Sequence, residues 1–143
     1  MRIHPVRFLT KNKHKKLTLA TWYLCAYYRA EMLLVPAERL EKKWGEKGVE
    51  SPMEASRSDY WNAVRISRVI RQVSAKTPWE SKCLVQAQTA RYLARRKGIK
   101  TTLYLGVGHE DGKMVAHAWI RCGEFYITGG NGVGYAVVAK FCQ

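Results

Sequence analysis

Residues 77–98 read TPWESKCLVQAQTARYLARRKG, a helical pattern with a start signal, a stop signal and a thiol near its beginning. Leu84, Ala87, Ala90, Leu93 and Ala94, with Tyr92 beside them, supply the packing residues. Ala87 and Ala90 are small enough for a close approach to a sheet. Arg91, Arg95, Arg96 and Lys97 suit the negative end of the helix dipole, and Gly98 ends the helix. The sequence allows two starts. Thr77-Pro78-Trp79-Glu80 has the form of a capping box with proline at the first helical position. Alternatively Ser81 is the cap and Cys83 falls in the first turn. The choice matters for chemistry, because the free N–H groups and positive dipole end stabilise a thiolate only within that turn.

Beyond Gly98 the apolar period changes from about 3.6 to 2. Residues 101–107 alternate Leu103, Leu105 and Val107 against Thr102 and Tyr104, and GHEDGK (108–113) reads as a turn. Residues 114–122 form a strand with Val115, His117 and Trp119 on one face and Met114, Ala116, Ala118 and Ile120 on the other. Gly123-Glu124 turns into a strand at 125–128, a glycine-rich loop covers 129–134, and 135–141 make a last strand. Upstream, residues 17–34 read as a helix, apolar on most faces and ended by Val35-Pro36. Pro36 opens a short helix carrying Leu40 and Trp44, and 45–58 are a polar loop. Residues 59–75 form a helix with Trp61, Val64, Ile66, Val69, Ile70 and Val73 inward and Arg57, Arg65, Arg68 and Arg71 outward. Helices followed by an antiparallel sheet predict an α+β fold. The expected organisation is one domain over 1–143, with a helical N-terminal part (1–75) and a core at 76–143.

The 143 residues hold 25 Lys and Arg against 11 Asp and Glu, a net charge of +14 that favours acidic partners. Cys25, Cys83, Cys122 and Cys142 show no CxxC pair or regular spacing, so they read as free thiols of a reducing cytoplasm. The basic N-terminus before the apolar run at 17–28 imitates a signal peptide. That run is aromatic, lacks a small-x-small site and leads straight into RAEMLLVP. It is also too short to span a bilayer, which takes about 20 apolar residues. GGNGVG (129–134) lacks the Gly-Lys-Ser/Thr ending of a phosphate loop. Cys83, His109, His117 and Cys122 match no common zinc spacing, so neither metal nor cofactor is expected.

Taken singly, a helix-borne cysteine is usually a small buried hydrophobe, and a histidine between apolar neighbours is usually a satisfied structural one. The pair in this order changes that reading. A thiol at a helix start facing a histidine on a strand is the arrangement a cysteine nucleophile needs.

A helix-borne Cys83 followed by strands carrying HAW (117–119) resembles the transglutaminase-like, papain-type fold, a central helix packed on an antiparallel sheet. More narrowly, PWESKCLVQAQTARYLARRKGI (78–99), LYLGV (103–107), AHAWIRCGE (116–124) and ITGG (127–130) resemble the lasso-peptide biosynthesis B2 proteins. These are leader peptidases that cut a ribosomally made precursor peptide before it is threaded and cyclised. The matching motifs cover roughly residues 77–141.

The resemblance implies Cys83 as nucleophile and His117 as base and then acid, with the Cys83 N–H as oxyanion donor. Many relatives place an Asp twelve residues after the histidine, where this chain has Gly129. The third catalytic member is therefore open between Asn131, Thr128 and a backbone carbonyl. The implied substrate is the precursor peptide, cut after a threonine near the leader's end. Fused relatives carry a strand-forming recognition domain, whereas the first 75 residues here read as helices. The chain is thus expected to be the stand-alone half, partnered by a separate leader-recognition (B1-type) protein, with the lasso cyclase as a further candidate. The basic surface and the Trp/Tyr-rich N-terminal segment are candidates for docking. No nucleic acid, membrane span or cofactor is implied, and the expected location is cytoplasmic. Two other readings remain: a transglutaminase-like acyltransferase or amidase, differing only in the acyl acceptor, and a non-catalytic basic nucleic-acid-binding module. Scattered Lys and Arg without a reading motif disfavour the second.

Overall fold

The computed structural model describes residues 15–78 and 81–143. The first basic residues, and Trp79 and Glu80 of the capping-box reading, lie outside them.

Helix α1 spans Lys15–Leu34 and buries a stripe of Thr18, Thr21, Leu24, Cys25 and Tyr28. It stops where Val35 meets Pro36, because proline pushes the preceding residue out of the α region. Its apolar character does not mean all-round burial: Leu19, Tyr23, Tyr27, Leu33 and Leu34 are exposed. Helix α2 is the short Ala37–Glu41, with Pro36 at its N-cap and Leu40 turned inward. Helix α3, Arg57–Ser74, starts where the Ser56 side chain accepts a hydrogen bond from the Asp59 N–H at 3.1 Å. Its buried face is Ala63, Ile66, Ser67, Val69, Ile70 and Val73. Trp61 and Val64, expected inward, are exposed. Each sits two residues before a core position, which is about 200° around a helix and so nearly opposite.

Helix α4 spans Cys83–Arg96. The strands are β1 (Glu46–Lys47), β2 (Thr102–Glu110), β3 (Lys113–Cys122), β4 (Phe125–Thr128) and β5 (Ala136–Cys142), in the order β1-β5-β2-β3-β4. Every neighbouring pair is antiparallel. Two details depart from the sequence reading. The segment expected to be a polar loop contains β1, which pairs with the end of β5. The β2–β3 turn is only Asp111-Gly112, so most of the six residues read as a turn extend the hairpin. Both turn residues have positive φ (51° and 75°), the geometry that matches strand twist.

The register sorts the strand side chains into two rows. Leu103 pairs with Ile120, and Leu105 with Ala118. Leu103, Ala118, Ile120, Ile127 and Phe141 join Ala87, Ala90, Leu93 and Ala94 of α4 in the core. The other row holds Tyr104 opposite Trp119, Thr102 opposite Arg121, and Gly106 opposite His117. Arg91, read as suiting the negative end of the helix dipole, is buried. It donates to Lys43 O at 2.7 Å and Gln88 Oε1 at 2.9 Å, and also to the Gln143 side chain, tying α4 to the segment that follows α2 and to the residue after β5. No helix among the described residues is long and apolar enough to cross a membrane.

Candidate active site

The structure decides between the two starts of α4. Cys83 is its first residue and Lys82 (φ −80°, ψ −172°) its N-cap. Thr77 does not open this helix; its N–H bonds Val73 O and so closes α3. Ser81, the alternative cap, is buried and shares a 2.8 Å hydrogen bond with the Thr77 hydroxyl. Gln86 pins the entry to the helix twice, through its N–H to Lys82 O at 3.0 Å and its Nε2 to Ser81 O at 2.8 Å. Cys83 is partly buried and stands where helical N–H groups have no intrahelical acceptor.

His117 stands in the middle of β3, opposite Gly106. Its Nε2 lies 2.6 Å from Gly129 O. A carbonyl oxygen can only accept, so Nε2 carries the proton. In the neutral ring this leaves Nδ1 with the lone pair. The imidazole packs against two aromatic rings, Trp119 at 5.8 Å and Tyr135 at 4.6 Å between centroids, and these two rings lie 6.2 Å from each other. Tyr135 donates its hydroxyl to Glu110 Oε1 at 2.9 Å. That hydrogen bond is the chief cause of a phenol pKa above its ordinary value, with smaller contributions from burial, the Glu110 charge and Cys83. Among the described residues no hydrogen bond joins Cys83 to His117 directly.

Neither side chain expected as third member is brought to the imidazole. Asn131 is exposed, and its Oδ1 accepts from the Val133 N–H at 3.1 Å within its own loop. Thr128 is buried, paired across the ladder with Ile120, and its hydroxyl has no hydrogen-bond partner in the structure. The place beside Nε2 belongs to the backbone of Gly129, and the local geometry explains why. Gly129 has φ +81°, and a Cβ there would lie 2.4 Å from Ala118 O and 2.7 Å from Trp119 Cβ. No side chain fits, so the position that offers a carboxylate in many relatives offers a carbonyl here. The same loop wraps Trp119, since a Cβ on Gly132 would come within 2.4 Å of the indole.

Of the other thiols, Cys142 is half-buried like Cys83. Cys25 and Cys122 are buried, and burial pushes both thiols above their ordinary value. Cys25 also lies 3.7 Å from the Thr89 hydroxyl. Sequence reasoning missed Tyr135 and Glu110 as part of the site. A lone tyrosine closing a six-residue glycine-rich loop was the available signal; Glu110 had none.

A family model described as the transglutaminase-like superfamily matches residues 19–140. The chain belongs to the transglutaminase-like superfamily. The match begins inside α1 and ends inside β5, so it takes in the N-terminal helices as well as the motif-bearing half. Superfamily membership agrees with the mixed helix and antiparallel-sheet architecture and with a papain-like arrangement of helix and strands. No curated protein and no solved structure gives a significant match.

Proposed function

We propose that this chain is a cysteine peptidase that removes the leader from a ribosomally made lasso-peptide precursor, working with a separate leader-recognition protein. The observation that carries the chemistry is the 2.6 Å contact between His117 Nε2 and Gly129 O, on a chain whose Cys83 opens a helix. It leaves Nδ1 as the basic nitrogen. In the proposed reaction His117 Nδ1 takes the Cys83 proton, and the thiolate adds to the scissile carbonyl. The tetrahedral oxyanion faces the N–H groups at the start of α4. The C–N bond then breaks as the imidazolium gives its proton to the leaving amine. Water, deprotonated by His117, hydrolyses the thioester, frees the leader carboxylate and restores the thiol. The Gly129 carbonyl fixes the tautomer without adding a charge beside the imidazolium.

The substrate class rests on the motifs around Cys83 and His117, which resemble the B2 leader peptidases. The test is cleavage of a candidate precursor followed by mass spectrometry, with and without the leader-recognition protein. One cut at the leader–core junction, dependent on that protein and lost in Cys83→Ala and His117→Ala, is expected. Unimpaired cutting by Cys83→Ala would sink the assignment. The superfamily also supports acyl transfer to an amine. Adding a primary amine to the same assay separates the two, since an acyltransferase yields an amide in place of the free acid.

A further inference from the structure

The side of the molecule next to Gly129 carries a groove that the reaction above does not use. Among the described residues strand β4 is the edge of the sheet, paired on one side only, with β3. A cavity of about 530 Å³ runs beside it, within the range of ligand clefts. Five consecutive residues, 126–130, form one wall, with Gln86 at the α4 end. The opposite wall is a single stripe of α3, Ser67, Ile70, Arg71 and Ser74, at the i, i+3, i+4, i+7 spacing of one helix face. The groove therefore has an extended backbone along one side and a helix along the other. It leads to Gly129, whose carbonyl holds His117.

We infer that an extended segment of the substrate peptide docks in this groove as an added strand on β4, with a carboxylate side chain facing Arg71. Three observations define this occupant. An unpaired strand edge supplies main-chain donors and acceptors that suit an extended chain of any sequence. Arg71 is exposed and, among the described residues, is the one charged side chain lining the cavity, beside Ser67, Ser74 and Thr128. Gly129 both lines the groove and holds His117 through its carbonyl, so a chain lying in the groove touches the residue that orients the base. Choosing the substrate as occupant rests on the peptidase reading; the docking mode rests on the groove itself. Arg71 acts by binding, not in the chemistry.

The experiment uses the full chain carrying Cys83→Ala, so that docking is read without turnover. The probe is acetyl-Thr-Val-Glu-Val-Thr-Val-amide, titrated against amide NMR spectra of the protein. Shifts centred on residues 126–130 and 67–74 are expected. Affinity should fall about tenfold when the probe's Glu becomes Lys or when Arg71 becomes Glu, the size of one charge-assisted contact. In the Arg71→Glu protein the Lys probe should regain what the Glu probe loses. N-methylating the probe's central amide should abolish the shifts. Equal binding of the Glu and Lys probes, indifference to N-methylation, or shifts confined elsewhere would overturn the inference. Docking without precursor cleavage would leave the groove assigned and refute the peptidase. Cleavage without docking at β4 would do the reverse.

Discussion

His117 and Arg121 stand on the same row of strand β3, four residues apart, and the structure treats them in opposite ways. Arg121 is 1% exposed and all five of its N–H donors are used. They go to the Tyr104 hydroxyl, to the Pro52, Gly123 and Ser51 carbonyls, and to the Thr102 hydroxyl. The Tyr104 hydroxyl donates a hydrogen bond to Glu50 Oε1 at 2.8 Å, which places a carboxylate at the end of the network. His117 is only part-buried, and among the described residues one ring nitrogen is bonded and the other is not. A saturated polar group inside a protein holds structure together, whereas one with a free lone pair can move a proton. The two cysteines of the helical layer repeat the contrast. Cys25 is closed in with Thr89, and Cys83, only half-buried, opens a helix.

The sharpest way to break the comparison is to exchange the fates of the two β3 residues. His117→Ala should lower kcat/KM by roughly 10⁴-fold or more, as removal of a catalytic base does. Its unfolding free energy, read from urea titration, should stay within about 1 kcal/mol of wild type. Arg121→Met should do the opposite. It strands several buried acceptors and should cost about 3–5 kcal/mol, with activity per folded molecule retained. Equal effects of the two changes on stability would erase the distinction. Gly129→Ala comes next. The left-handed backbone alone costs about 1–2 kcal/mol for a side-chain-bearing residue, and the added Cβ pushes the loop off Ala118 and Trp119. Kcat should drop by about 10- to 100-fold, a barrier change of about 1.4–2.8 kcal/mol. Gly129→Asp should not rescue it, because the carboxylate has no room to replace the carbonyl.

The smallest effect belongs to the buried groups. Cys25, Cys122, Tyr28 and Tyr104 all have pKa values raised, chiefly by burial. A raised folded-state pKa means that the native state holds its proton longer than the unfolded chain. Their contribution is complete at neutral pH, where both states are protonated. Stability then falls as pH rises past the ordinary thiol value of 9.0. Thermal melts between pH 7 and 10.5 should show this alkaline decline, and it should be shallower in Cys25→Ala, whatever that change costs in packing. A flat profile would place these groups in contact with water.

Much of the arrangement was legible because it depends on periodicity. The small residues of 83–96, the switch to alternation after Gly98 and the placing of Cys83 at a helix start and His117 on a strand all lie in the pattern of side chains. What escaped depends on partners far away in sequence or on the backbone. Strand β1 is two residues long, too short for any period, and exists because β5 ends beside it. The burial of Arg91 and Arg121 escaped because their acceptors, around Lys43 and Ser51, are tens of residues distant. The group that orients His117 is a carbonyl, which every residue possesses. Only the geometry of Gly129, closed to any Cβ, shows that this one is used.

One measurement addresses the central claim, that His117 acts on Cys83. Native protein and its His117→Ala variant are treated with limiting iodoacetamide, and each thiol's modification rate is read by peptide mapping. The account predicts that Cys83 is alkylated ahead of Cys25, Cys122 and Cys142, and that its rate falls at least about tenfold without the histidine, since a thiol is a weak nucleophile without its base. Modification of another cysteine first, or a Cys83 rate indifferent to His117→Ala, would contradict it.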